Sequence, residues 1–152
     1  MLTEILKEVS ESAKKTGNSL YHFSTYQPFL AKAGWKHLSS GTNKTVWEHP
    51  DYDFLLKTGY TVLSEARKYG ELPIEIQEKC AKVYLAGEIE GLEFSLVERI
   101  KGREMTIYEL SAHFDRIADL LECHGCRYSF EWQYYRNVML TETNDFRFID
   151  LS

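Results

Sequence analysis

The spacing of apolar residues changes twice along this chain, and each change predicts a change of structure. Leu2, Ile5, Leu6 and Val9 recur at helical spacing, which predicts an amphipathic helix over 2–15 that Thr16-Gly17-Asn18 ends. Ser24 or Thr25 can cap a second helix, with Pro28 in its first turn and Gly34 as its stop. From Trp35 the apolar residues fall into short runs parted by turn residues, the pattern of strands. Residues 35–38, 45–48 and 53–57 read as three strands, with turns at Ser39-Ser40-Gly41-Thr42-Asn43 and His49-Pro50-Asp51. A helix follows from Tyr60 to Tyr69, stopped by Gly70, and Pro73 opens a short helical piece. Residues 82–85 and 94–98 read as two more strands joined across 87–91.

After Gly102 the spacing is helical again. Ile107, Leu110, Phe114, Ile117 and Leu121 step by three and four, and Thr106 with Glu109 fits a capping box. The helix ends between Cys123 and Cys126, and an aromatic loop, 128–136, follows. The chain closes on a two-stranded ribbon that turns at Thr141-Glu142-Thr143-Asn144. Asn137 begins the first strand and Asp150 finishes the second, so the ribbon brings an amide oxygen and a carboxylate together. Hard cations prefer such oxygen ligands, which makes the pair a candidate magnesium site. The expected fold is α+β and one domain: helices over 1–33, a five-stranded antiparallel sheet with one helix over 34–101, and a helical part ending in the ribbon over 102–152.

Composition narrows the picture. Hydrophobic residues make up 43% and aromatics 14%, so a packed core is expected rather than disorder. The net charge of −5 argues against nucleic acid as a general partner. Three cysteines, an odd number without a secretory leader, fit a reduced protein of the cytoplasm. No apolar run is long enough for a membrane span. Cys123-His124-Gly125-Cys126 looks like half a zinc site, but Cys80 and His113 are remote in sequence and no second half is visible. Reduced thiols are the expectation there.

The order of these elements and their motifs resembles a protein kinase, in particular the early serine/threonine kinases of T-odd lytic coliphages. The likeness rests on Gly34-Trp35-Lys36-His37-Leu38, Gly41, His49-Pro50, Leu55-Leu56-Lys57, Ser129-Phe130, Asn137-Val138-Met139-Leu140 and Ile149-Asp150. It implies a kinase-like N-lobe, a reduced C-lobe, and ATP with magnesium as cofactors. On that pattern Gly41 and Lys44 belong to the phosphate loop, of whose three glycine positions only Gly41 is glycine. Lys57 would pair with phosphate and with Glu65. The backbone from Glu98 to Ile100 would face adenine, and Asn137 and Asp150 would hold the metal.

The catalytic loop departs from the pattern. A kinase carries an aspartate five residues before its metal-binding asparagine, to accept the substrate proton. Here that position is Trp132, which cannot accept a proton, and Glu131 lies one residue earlier. The sequence also ends at Asp150-Leu151-Ser152, with no activation segment. The resemblance therefore implies a truncated, degenerate kinase-like domain that acts by binding another protein. A phage-encoded modulator of a host factor or defence component would fit. The alternative is an active ATP-dependent serine/threonine kinase using Asn137, Asp150 and Glu131.

The aromatic loop has three readings. Its rings fill core space, or Trp132, Tyr134, Tyr135 and Arg136 form a partner-binding patch, or they stack on bases. The acidic net charge opposes the third.

Overall fold

In chain order the elements are α1 (Leu2–Lys15), α2 (Phe23–Lys32), β1 (Lys36–Ser40), β2 (Lys44–Glu48), β3 (Phe54–Gly59), α3 (Val62–Glu71), α4 (Ile74–Gln77), β4 (Val83–Ile89), β5 (Leu92–Glu98), β6 (Gly102–Glu104), α5 (Ile107–Cys123), a 3₁₀ turn (Tyr135–Asn137), β7 (Val138–Thr141) and β8 (Phe146–Phe148). This computed structural model describes residues 1–17, 23–41 and 43–151. The readings that touch Asn18, Thr42 and Ser152 lie outside the described residues. The fold is α+β. It divides into two compact units, Met1–Leu63 with Val83–Glu98, and Ser64–Lys82 with Arg99–Ser152. The segment 64–82, expected to belong with the large sheet, thus groups with the C-terminal part.

The first unit is an antiparallel sheet in the order β1-β2-β3-β5-β4. Side chains alternate between faces along a strand, so register sorts them. Trp47 pairs with Leu56, Thr45 with Thr58, and Thr58 with Phe94. This face packs against Leu6 and Val9 of α1 and Tyr26 and Leu30 of α2 in one apolar core. Val46 pairs with Lys57, and Lys57 with Ser95, on the opposite face. The strands β4 and β5 run longer than expected and meet in a two-residue turn. Glu90 and Gly91, at φ 52° and 86°, supply the positive φ that such a turn needs. The Glu90 carbonyl accepts the Ser10 hydroxyl at 2.6 Å, tying α1 to the turn.

Pro28 lies inside α2 rather than in its first turn. Gly34 does end that helix. Trp35 N donates to Leu30 O and Gly34 N to Ala31 O, both at 3.0 Å, a Schellman close with Gly34 at φ +96°. The His49 ring then closes over Gly34. Its Nδ1 accepts the Asp51 N–H at 3.1 Å, so Nε2 carries the proton and donates to Ala33 O at 3.1 Å.

In the second unit Thr106 caps α5 as expected, with Glu109 completing the box and Arg103 bridging its carboxylate at 2.6 Å. The residues after Gly102 are not helical at once. Gly102–Glu104 forms β6 and pairs with β7, making a three-stranded sheet in the order β6-β7-β8. Three residues are too few to show a strand's alternation, so only the pairing reveals it. The ribbon is held on its outer side too. Phe148 N donates to Lys79 O at 2.7 Å and Ala81 N to Phe148 O at 2.8 Å. At its turn Asp145 bridges Lys79 at 2.7 Å and Arg116 at 3.1 Å, and both cations lie over the Phe146 ring. Partial burial works most strongly on the Asp145 carboxylate and against its charge, but the hydrogen bonds from Lys79 and the Phe146 N–H, with the charges of Lys79 and Arg116, together outweigh it and leave its pKa below the ordinary value.

Two predictions follow from these joints. In Gly34→Ala the new Cβ would lie 2.6 Å from His49 Nε2, in a backbone conformation that alanine resists. Urea unfolding should show a loss of about 1–3 kcal/mol. The Arg103 hydrogen bond, with help from the Thr106 backbone, holds the Glu109 pKa down from 4.5 to about 2. Its stabilising effect is therefore complete above pH 4.5 and fades as pH falls toward about 2. Glu109→Gln should flatten stability across that window in acid titrations followed by circular dichroism.

Candidate functional site

The second unit gathers its chemistry around Asn137, which the fold buries at the junction of the 3₁₀ turn and β7. Its backbone N–H donates to Tyr134 O at 2.9 Å, and its carbonyl accepts Ile149 N at 2.9 Å. The second bond sets Asn137 directly across the ribbon from Ile149, so Asp150 follows one residue on. The pairing of Val138 with Phe148 continues the same register. The ribbon expected from the sequence is thus present, with Asp150 just past β8 rather than within it.

The side-chain amide of Asn137 donates from Nδ2 to Glu131 O at 2.7 Å. That bond settles which way the amide points. Its nitrogen faces the loop, and Oδ1 is left as an acceptor to which nothing among the described residues donates. It also closes the loop on Glu131, an exposed residue, and not on Trp132. Asn137 Oδ1 and the Asp150 carboxylate are both hard oxygen donors, a donor set that fits magnesium, which keeps several waters and takes few protein ligands. Among the described residues no group of three or more His, Cys, Asp or Glu side chains could hold a metal.

Trp132 fits the core-filling reading of the aromatic loop. Its ring is wholly buried, packs 4.9 Å from Phe114, and donates its N–H to Arg127 O at 2.9 Å. An indole in that position is core and offers no surface to a partner. Tyr134 is 48% exposed and Arg136 is exposed, so these two remain accessible. Tyr135 is half-buried, with Arg136 stacked over its ring at 5.7 Å.

Glu65, near the start of α3, is buried and accepts the Leu151 N–H at 3.4 Å, one residue beyond Asp150. The α3 helix continues through Gly70 to Glu71, where the sequence suggested a stop. In the first unit Lys57 is buried on the β3 face that also carries Val46 and Ser95. Gly41 and Lys44 flank the turn between β1 and β2, and Gly41 N donates to Lys44 O at 2.9 Å. Glu98 ends β5 and Ile100 lies in the short passage that leads to β6, both half-buried. The three cysteines are free thiols. Cys80 and Cys126 are buried and Cys123 is exposed, and burial pushes the Cys80 pKa up to about 12.

Sequence reasoning missed the closing bond from Asn137 to Glu131 and the docking of β8 on residues 79–81. The first depends on a side chain reaching a backbone carbonyl, which no spacing rule encodes. The second is a bridge between Cys80 and Phe148, far apart in sequence.

Among the described residues no helix is long and apolar enough to cross a membrane. No protein-family model matches the chain, and no curated protein matches it. Similar solved structures include crystal structures of the PknI kinase domain of Mycobacterium tuberculosis. One double mutant is 17% identical, with a TM-score of 0.48, over 78% of this chain and 58% of that one. A second double mutant is 15% identical, with a TM-score of 0.46, over 78% and 60%. A single mutant is 16% identical, with a TM-score of 0.44, over 78% and 59%. The chain thus spans about three-fifths of the length of these kinase domains.

The burial of Trp132 is itself testable. Trp132→Ala should cost about 3–5 kcal/mol in urea unfolding, as for other buried aromatics truncated to alanine. A surface contact residue at that position would leave the midpoint unchanged.

Proposed function

We propose that this chain is a protein-kinase-like domain that transfers the γ-phosphoryl group of ATP to a serine or threonine hydroxyl. The observation that carries this reading is the 2.7 Å bond from Asn137 Nδ2 to Glu131 O. It leaves Asn137 Oδ1 as an acceptor suited to a cation, and it joins the one carboxylate-bearing residue of the loop to the candidate metal ligand. In the proposed reaction the hydroxyl oxygen bonds to the γ-phosphorus while the bond to the β-phosphate oxygen breaks. Glu131 takes the hydroxyl proton, and ADP leaves. Asn137 and Asp150 would hold magnesium, which when bound neutralises charge on the phosphates. Lys57 would supply a cation for the α- and β-phosphates, and Gly41 and Lys44 would lie along the phosphates. The backbone between Glu98 and Ile100 would meet adenine.

A second reading is that the domain has lost transfer and acts by binding another protein. The accessible Tyr134 and Arg136 favour it, because Tyr and Arg are enriched in binding hot spots. The phage resemblance suggests a host factor or a defence component as that partner, with the host cytoplasm as its location.

Labelled ATP with a panel of protein substrates tests the first reading. Transfer should be abolished by Asp150→Asn and reduced about a hundredfold or more by Glu131→Gln, the scale of a lost general base. Magnesium-ATP at a hundred times its dissociation constant should add about 2.7 kcal/mol of stability. A retained stability shift without any transfer would overturn the catalytic reading and leave partner binding.

A further inference from the structure

On the face of its sheet away from Lys57, the first unit carries a hydroxyl relay that the kinase-like reading does not use. It starts at Trp47, whose indole N–H can only donate and meets Thr58 Oγ1 at 3.1 Å. Thr58 Oγ1 and the Tyr26 hydroxyl lie 3.4 Å apart, as do the Tyr26 hydroxyl and Thr45 Oγ1. Thr45 Oγ1 lies 3.5 Å from Ser40 Oγ, and Ser40 Oγ lies 2.6 Å from His37 Nε2. Tyr26, Thr45 and Thr58 are buried, so each of their protons needs an acceptor. One direction alone supplies them all. Thr58 cannot return its proton to the indole and passes it to Tyr26, Tyr26 to Thr45, Thr45 to Ser40, and Ser40 to His37. Nε2 is then an acceptor, and the imidazole carries its own proton on Nδ1. The inner O–H···O links are long, and the last link is short.

A regular strand would not bring these two residues together. Three positions apart, His37 and Ser40 would face opposite sides of the sheet. The register between β1 and β2 shifts at Leu38, so His37 pairs with Trp47, Ser39 with Val46 and Ser40 with Thr45. Leu38 is the extra residue of a bulge, a device that re-aims side chains. Trp47 and Thr45 share a face, and the bulge turns His37 onto the face of Ser40. The Phe23 ring, edge-on at 5.0 Å, and the Trp47 ring at 5.8 Å hold the imidazole there. His37 and Ser40 are both exposed. The outcome is a solvent-facing serine whose proton points at an imidazole nitrogen, the arrangement of a nucleophile and its base.

We infer that Ser40 is a modification site, a hydroxyl that takes a phosphoryl group with His37 as its base. The Ser40 oxygen bonds to the γ-phosphorus of a nucleoside triphosphate, and the bond to the β-phosphate oxygen breaks. The Ser40 proton passes to His37 Nε2, and the nucleoside diphosphate leaves. Ser40 faces away from Lys57, so on the kinase-like reading, on which this choice of donor rests, a second copy of the chain supplies the phosphoryl group. The ester adds a charge of about −1.5 to −2 one residue before Gly41.

Diisopropyl fluorophosphate, which esterifies activated serines with loss of fluoride, probes the hydroxyl without any transferase activity of the chain. Peptide mass spectrometry on the full chain should find the adduct on Ser40 and not on Ser39, which is also exposed but faces the other way. His37→Gln should slow the labelling about a hundredfold, the scale of a lost general base. No adduct on Ser40, equal labelling of Ser39, or indifference to His37→Gln would overturn the proposal. If His37→Gln does not fold, the comparison of the two serines in the wild type decides. Labelled ATP supplies the second arm, with wild type as donor and Asp150→Asn as acceptor. Phosphate should appear on Ser40 of the acceptor and be lost when the acceptor also carries Ser40→Ala. Transfer to protein substrates with none to Ser40 would overturn the proposal and leave the kinase-like reading standing. No transfer to any substrate, with the Ser40 adduct formed, would remove that reading and uphold the activated hydroxyl.

Discussion

The hydrogen bonds of Asn137 fix the second unit. Its carbonyl sets the register of the ribbon, its N–H closes the 3₁₀ turn, and its side-chain amide ties down Glu131. A buried amide must satisfy its donors, and here Nδ2 gives a proton to the Glu131 carbonyl. The outcome is an oriented oxygen. Because Nδ2 is committed, Oδ1 cannot exchange places with it by a flip of the amide. Aspartate here would lack that donor, and it would face the Glu131 carbonyl with another acceptor. The residue type is thus dictated by the loop as much as by any cation, and the same bond serves both.

The first unit depends on a different constraint, the period-two alternation of its strands. Trp47, Leu56 and Phe94 face the α1–α2 pair, and Val46, Lys57 and Ser95 face the other way. Each face has its own polar chemistry. Lys57 belongs to the one, and the relay from Trp47 to Thr45 belongs to the other. The two chemistries are adjacent along the chain and separated by the thickness of the sheet. Thr58 follows Lys57 directly, so a single strand contributes to both.

How much of this was legible depended on the range of the interaction. Helix spacing gave α1 and α5, and Thr106 with Glu109 marked the start of α5, because caps and apolar stripes are local. The meander of β1, β2 and β3 was readable from its turns, and so was the closing ribbon. Pairings between distant segments were not readable. Gly102–Glu104 became a strand only because β7 offers it an edge. Gly70 did not stop α3, since a single glycine inside a helix costs only about 1 kcal/mol and packing overrides it. Asn137, Asp150 and Lys57 were singled out as candidates by type and order. The face on which Lys57 lies follows from register, which a lone strand does not reveal.

Trp132 shows why a loop should be read by its closing bond and not by counting. Five residues back from Asn137 the chain holds an indole, and on spacing alone the loop has no base. Glu131, one position earlier, nevertheless reaches Asn137 through its backbone carbonyl. Trp132 is drawn into the core against Phe114, and its N–H is spent on Arg127 O. With that residue turned inward, the backbone of Glu131 can still meet the Asn137 amide, six positions ahead. A small polar residue at 132 would have no such anchor. What the closing bond fixes is the backbone of Glu131, whose side chain is exposed, while the place five residues before Asn137 is filled by core.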